Sequence, residues 1–128
     1  MDKFVIIGEG VLLNHCIKEI LLSGFEILAI FSEKSGIKKR IKNVSCFKYS
    51  EVDKWVVDNR KSFSDKCWLI SAESTKIINK ATLKPFGDKA INFHHGILPK
   101  YAGLFTYQWA ILNNEKIFGS CWHSMEEN

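Results

Sequence analysis

The sequence predicts an α/β fold, an open and mostly parallel sheet with helices on both faces. Two observations support this prediction. First, apolar runs short enough to be buried strands alternate with stretches of helical spacing. Second, the first run, residues 4–7, leads directly into a Gly8-Glu9-Gly10 turn and then a helix, as at the start of an open α/β sheet. With 46% hydrophobic residues among 128, the chain can bury a core and is expected to form one domain, or part of one, over residues 1–128.

The individual elements follow from apolar spacing and from turn residues. Residues 11–23 carry apolar side chains at helical spacing, and Gly24 ends this helix. Residues 27–31 are a continuous apolar run, which predicts a second buried strand. The remaining predictions, in order, are a strand at 44–47, a helix at 51–61, a strand at 67–71, a helix at 74–83, a strand at 90–93, a helix at 107–113 and a strand at 118–125.

The composition argues against several classes of protein. The net charge of +4 is modest, and much of it lies at residues 34–42, which favours a solvated loop over a nucleic-acid surface. The four cysteines form no C-x-x-C pair, so free thiols are expected. Neither a disulfide framework nor a metal site is expected. Because there is no signal-peptide pattern and no apolar stretch of about 18 residues, a cytoplasmic location is expected.

The residues best suited to catalysis lie near position 92. Asn92 and His94 are two residues apart on a predicted strand, so their side chains project to the same side. An amide donor beside an imidazole suits the stabilisation of a developing oxyanion and the movement of a proton in acyl transfer. The alternative is that both side chains only cap loops. His95 is expected to point to the other side, and His123 to be half-buried and structural.

Residues 91–125 resemble the formyltransferases that use 10-formyltetrahydrofolate. The similarity rests on a motif of the type N-x-H-x-G-x-L-P-x-Y-x-G, a Trp-Ala-Ile helix with an Asn-Asn-Glu turn, and a last strand that ends at Met125. The motif residues are Asn92, His94, Gly96, Leu98, Pro99, Tyr101 and Gly103. Within the family, the chain most resembles the formylation domains of nonribosomal peptide synthetases and the formyltransferases that act on sugar or amino-acid amines.

The resemblance implies a Rossmann-like sheet, 10-formyltetrahydrofolate as co-substrate and a primary amine as acceptor, on an amino acid, a carrier-tethered amino acid or an amino sugar. A tRNA acceptor is not expected. Asn92 would donate a hydrogen bond to the formyl oxygen, and His94 would hold that oxygen and move the proton released by the amine. The folate would be bound by Leu69, Ile70, Ser71, Ala72, Gly96, Ile97, Leu98, Pro99 and Gly103. The acceptor would be bound by Gly8, Gly10, Tyr101 and Phe105.

Two departures from the family pattern affect these expectations. His95 stands where the related synthetase domains often have Asp. The family's third catalytic residue, an Asp that orients the catalytic histidine, is expected about two residues beyond Asn128. The chain is therefore expected to be a truncated catalytic domain with impaired activity and exposed edges that favour self-association.

The sequence also leaves two alternatives open. One is a non-catalytic remnant that binds folate or a partner without turnover. The other is a Rossmann-type nucleotide-binding oxidoreductase, which rests on Gly8 and Gly10. Its glycine fingerprint is incomplete, because Leu13 stands where the third glycine belongs.

Overall fold

A computed structural model describes residues 1–34, 41–96, 100 and 102–126 of the chain. In this part of the chain, six strands form one sheet. They are β1 (Lys3–Gly8), β2 (Glu26–Phe31), β3 (Ser45–Phe47), β4 (Cys67–Ala72), β5 (Ala90–His95) and β6 (Ser120–Ser124). The strand order is β3-β2-β1-β4-β5-β6, and β6 runs antiparallel to β5 while the other pairs are parallel.

The order of the strands reverses between β1 and β4. From β1 the chain moves outward to β2 and β3, and then returns to place β4 on the other side of β1. Open α/β sheets bind ligands in the crevice at the carboxyl ends of the strands on either side of such a reversal. The topology therefore points to the ends of β1 and β4, and of β5 beside them, as the place to look for a site.

Helices connect these strands. They are α1 (Gly10–Leu22), α2 (Val52–Asn59), α3 (Lys80–Leu83) and α4 (Thr106–Leu112), with 3₁₀ turns at Tyr49–Glu51, Arg60–Ser62 and Lys84–Lys89. In the part of the chain that the structure describes, no helix has the length and apolar character needed to cross a membrane.

Apolar side chains cover both faces of the sheet. Successive strand residues such as Ile6 and Ile7 enter opposite clusters, because side chains alternate along a strand. On one face, α1 packs through a cluster formed by Ile6, Leu13, Ile17, Ile20, Ile27, Ile30, Ile70 and Ala72. On the other face, α2 and the segments around α3 pack through a cluster that includes Val5, Ile7, Phe31, Val52, Val56, Leu69, Leu83 and Phe86. The predicted mostly parallel sheet with helices on both faces is confirmed.

Most elements lie within two residues of their predicted bounds at each end, and two of the differences have a clear structural cause. The helix expected at 74–83 is reduced to α3, Lys80–Leu83, because side chains upstream bind the backbone in other ways. Ser74 Oγ accepts a hydrogen bond from Lys76 N at 3.0 Å, and Asn79 Oδ1 caps the helix by accepting from Thr82 N at 2.9 Å. In contrast, β5 continues to His95, two residues beyond the predicted end, because β6 pairs with it along that length.

Candidate functional site

A row of polar side chains crosses the carboxyl half of β4, β5 and β6. Ser71 is paired with Asn92, and Asn92 is paired with His123 on the antiparallel strand. Paired residues on neighbouring strands project to the same face of a sheet, so these three side chains lie side by side. Asn92 Nδ2 lies 3.3 Å from His123 Nε2. The row thus places an amide and an imidazole in direct contact.

His94 lies one step further along the same face. Its ring is 6.0 Å from that of His123, centroid to centroid, with the ring planes at 73°. Because β5 is extended through His95, the side chains of Asn92 and His94 share one face, as the sequence predicts. Asn92, His94 and His123 are all partly exposed. They can therefore be reached from solvent, unlike the core beneath them.

The hydrogen bonds of His123 determine how its ring and the Asn92 amide are oriented. His123 Nδ1 lies 2.9 Å from the carbonyl oxygen of Ser124, and a carbonyl oxygen can only accept. In the neutral ring, Nδ1 therefore carries the hydrogen and Nε2 is an acceptor, so the Asn92 amide donates one N–H to it. The second N–H of the same amide is then directed by this contact and can donate to a ligand. His123, predicted to be half-buried and structural, is half-buried and hydrogen-bonded to a candidate catalytic residue.

On the other face, His95 is joined to the end of β4. His95 Nε2 lies 2.8 Å from Glu73 Oε1, which makes an ion pair when the imidazole is protonated. Glu73 follows β4 directly and has a φ of +60°, a conformation that residues other than glycine rarely adopt. The His95 carbonyl oxygen also accepts a hydrogen bond from the Thr106 hydroxyl. These contacts connect the ends of β4 and β5 to the start of α4.

The ends of β1 and β2 are joined by a carboxylate. Glu9 Oε2 accepts from the Ser32 hydroxyl at 2.9 Å, and Glu9 Oε1 accepts from Glu33 N at 2.6 Å. The turn before α1 is tight, since a Cβ on Gly8 would lie 1.9 Å from the carbonyl oxygen of Ala72. Gly10 has a φ of +70°. The β1–α1 turn therefore lies against β4 and carries an acidic side chain that reaches β2.

A family model described as "Formyl transferase" matches residues 41–128, more than half of the chain. The chain belongs to the formyl transferase family. The resemblance inferred from the motif at 91–125 is confirmed, and the alternative of a nucleotide-binding oxidoreductase is not supported.

The names of this chain's relatives state different acceptors. Over 146 aligned residues, the chain is 28% identical to a methionyl-tRNA formyltransferase of Campylobacter lari, covering 99% of this chain and 46% of that enzyme. It is 23% identical over 135 residues to a GDP-perosamine N-formyltransferase of Brucella melitensis, covering 98% of this chain and 52% of that enzyme. The chain thus spans about half the length of the curated relatives it matches.

The fold is also that of solved formyltransferases. The crystal structure of a phosphoribosylglycinamide formyltransferase from Bacillus halodurans superposes with a TM-score of 0.79 over 99% of this chain and 73% of that one, at 19% sequence identity. At that identity, the similarity establishes the fold alone. It confirms the predicted Rossmann-like architecture.

The predicted folate-binding residues of this family member fall into three groups. Leu69 and Ile70 are buried in the middle of β4 and belong to the two core clusters, while Ser71 and Ala72 are buried closer to its carboxyl end. Gly96 is buried directly after β5. Gly103 is exposed, with a φ of +100°. Ile97, Leu98 and Pro99 lie outside the described residues.

The predicted acceptor-binding residues lie at two places. Gly8 and Gly10 form the β1–α1 turn at the strand-order reversal. Phe105 lies just before α4, is 67% exposed and has a φ of +56°. An aromatic side chain held exposed in the left-handed region is an unfavourable local arrangement that often accompanies a binding site. Tyr101 lies outside the described residues.

Two contacts were not predicted from the sequence. The contact of His123 with Asn92 depends on the register of the antiparallel β5–β6 pair, which brings together residues 31 positions apart. The Glu73–His95 pair depends on the left-handed backbone of Glu73. In the sequence, the only indication of the first contact is His123 itself, a polar residue in a largely apolar predicted strand.

Residues 1–34, 41–96 and 102–126 contain no group of three His, Cys, Asp or Glu side chains that could hold a metal ion.

Proposed function

We propose that this chain is the catalytic part of an N-formyltransferase, which transfers the formyl group of 10-formyltetrahydrofolate to a primary amine. The observation that carries the proposal is the group of three polar side chains formed by Asn92, His94 and His123, near the strand-order reversal of a formyl transferase sheet. This group offers an orientated N–H donor and two imidazoles on one solvent-accessible face.

In this reaction, 10-formyltetrahydrofolate would supply an activated formyl group. Asn92 donates one N–H to His123 and keeps the second for the formyl oxygen, where negative charge develops as the amine attacks. One such donor contributes roughly 10²–10³ to the rate in acyl transfer. His123 acts on the reaction through Asn92, since it fixes which way the amide faces. It is therefore a positioning residue.

His94 would move the proton. The attacking amine must lose a proton as the new carbon–nitrogen bond forms, and the departing folate nitrogen must gain one. An imidazole on the same face as Asn92 can accept the first proton and return it to the leaving nitrogen, a contribution of roughly 10²–10⁴ in rate. The His94 ring also lies against the His123 ring, with the two centroids 6.0 Å apart.

The predicted binding residues are consistent with two sides of one crevice. The folate would lie against the end of β4 and the loop at 96–103, where Ala72 and Gly96 offer backbone groups. Leu69 and Ile70 are buried in the core, so they would support this crevice without direct contact with solvent. The acceptor would enter past Gly8, Gly10 and Phe105. The amine could be carried by an amino sugar, by an amino acid or by a carrier-tethered amino acid, and a tRNA is the alternative acceptor.

The proposal is tested by separating binding from transfer. Isothermal calorimetry is expected to detect saturable binding of 10-formyltetrahydrofolate to the wild-type protein and to His94→Ala alike. Formyl transfer to a primary amine is expected to fall by roughly 10²–10⁴ in His94→Ala, and to be unchanged in His15→Ala, which removes an exposed imidazole from α1. Absence of folate binding, or equal transfer by wild type and His94→Ala, would contradict the proposal. Binding without transfer by the wild type would instead support a non-catalytic folate-binding protein.

A further inference from the structure

The end of β5 extends beyond its backbone pairing with β4. The β4–β5 ladder ends at the pair formed by Ser71 and Asn92. From there β5 continues to His95 with β6 as its paired strand. The end of a strand opens more easily where only one neighbour supplies backbone hydrogen bonds. Any further contact between the ends of β4 and β5 therefore helps to fix where His94 lies.

A side-chain contact joins the two strands beyond the end of this ladder. Glu73 directly follows β4, and its Oε1 accepts a hydrogen bond from His95 Nε2 at 2.8 Å. The His95 ring also meets the Phe93 ring, with the centroids 4.7 Å apart and the ring planes at 85°. At the start of α4, the Thr106 hydroxyl donates to the His95 carbonyl oxygen. The residue next to His94 is thus held by β4, by its own strand and by α4.

The Glu73–His95 contact is made at a cost in backbone energy. Glu73 has a φ of +60°, where the Cβ of an L-residue crowds the backbone. The side chains of His95 and Glu73 are 45% and 37% exposed, and ion pairs this exposed contribute little to stability. The left-handed backbone therefore costs more than the pair ordinarily returns. Strain that the stability of the fold does not repay is typical of residues that serve a function.

We propose that Glu73 and His95 are positioning residues for His94: their contact holds the end of β5 against β4, so that the His94 ring meets the reacting groups in a fixed place. This inference rests on the proposed function, which gives His94 the proton transfer. Glu73 and His95 lie on the other face of the sheet from Asn92 and act through the backbone of β5. A misplacement of about 1 Å in an active site costs up to about 100-fold in rate.

Glu73→Gly separates positioning from stability, because it removes the carboxylate and the backbone strain together. Its melting temperature is expected to lie within about 3 °C of wild type or above it. The kcat for formyl transfer is expected to fall about tenfold, while KM for the amine changes less than about twofold. A residue that only supported the fold would lose stability and activity together. Asn43→Gly is the control: Asn43 has a φ of +68° and precedes β3 at the other edge of the sheet, so kcat is expected to stay unchanged.

A double-mutant cycle tests whether Glu73 acts through His95. Glu73→Ala, His95→Ala and the double variant are compared for kcat. If the two side chains act as a pair, the double variant is expected to lose no more activity than the worse single variant. Losses that multiply in the double variant would show that the two residues act independently and would overturn the pairing.

Amide hydrogen exchange measures the end of β5 without folate or turnover. In Glu73→Gly, the backbone amides of residues 94–96 are expected to exchange about tenfold faster than in wild type, while those of residues 5–7 in β1 are unchanged. Unchanged exchange at 94–96, an unchanged kcat, or a melting temperature more than about 3 °C below wild type would overturn the proposal. Faster exchange in a protein that transfers no formyl group would leave the contact's effect on β5 standing and would count against the proposed function alone.

Discussion

Replacement of Gly8 by alanine tests the contact on which the geometry of the site depends. Gly8 is paired with Ala72 where β1 and β4 end, and Glu9 N donates to the Ala72 carbonyl oxygen at 3.1 Å. A Cβ at Gly8 would lie 1.9 Å from that oxygen and 2.7 Å from its carbon. Ordinary contact requires at least about 3 Å, so the strands must separate by more than about 1 Å. Such a movement breaks the Glu9–Ala72 hydrogen bond.

The expected cost follows from these two effects. Overpacking of this kind costs about 1–3 kcal/mol, and loss of the hydrogen bond adds about 1 kcal/mol. The sum of roughly 3 kcal/mol is a large part of a typical stability of about 5–15 kcal/mol and corresponds to a fall in melting temperature of roughly 10 °C. Urea unfolding monitored by tryptophan fluorescence measures the change in the free energy of unfolding.

Gly24→Ala is the matched control. Gly24 has a φ of +79°, but nothing lies within 4 Å of an added Cβ, so only backbone strain of about 1 kcal/mol is expected. If Gly8→Ala unfolds at the same urea concentration as wild type, or costs no more than Gly24→Ala, the close approach of β1 and β4 is not as described. The packing of the crevice around Gly8 would then need revision.

The other predictions concern His123 and the buried thiol of Cys67. His123→Ala leaves the Asn92 amide without its partner, so kcat for formyl transfer is expected to fall about tenfold with KM nearly unchanged, while an unaltered kcat would remove the positioning role. Burial raises the pKa of the Cys67 thiol to about 11, although the positive charge of Lys3 acts in the opposite direction. At pH 8 the thiolate fraction is then about 0.1%, and iodoacetamide is expected to label Cys67 far more slowly in the folded protein than in urea. Because the raised pKa favours the protonated thiol, the contribution of Cys67 to stability is fully present below about pH 9 and is lost as the pH rises through 11. Equal labelling rates in the folded protein and in urea would contradict the burial and raised pKa of this thiol.

Local patterns in the sequence were sufficient to predict the sheet and the main pair of site residues. The apolar run at 4–7, the glycine turn and the helical spacing that follows are short-range features, and they correspond to β1 and α1. Asn92 and His94 share a face because alternation along a strand depends only on positions two apart. Both inferences needed no knowledge of which strands are neighbours.

The remaining parts of the site depend on non-local geometry. His123 reaches Asn92 only because β6 pairs antiparallel with β5 in one register, and a shift of one residue would turn its ring to the other face. Glu73 reaches His95 only because its backbone is left-handed, which sequence propensity does not predict for a glutamate. The helix expected at 74–83 begins late because Ser74 and Asn79 bind the backbone locally.

The central claim, that Asn92 and His94 carry out formyl transfer to an amine, is tested most directly by following the formyl carbon. Wild type, Asn92→Ala and His94→Ala would be incubated with 10-formyltetrahydrofolate labelled in its formyl group and a mixture of primary amines. The account predicts label on an amine in the wild type, and a fall of roughly 10²–10⁴ in its rate of appearance in each variant. Label that stays on the folate, or leaves as formate at the same rate in all three proteins, would contradict it.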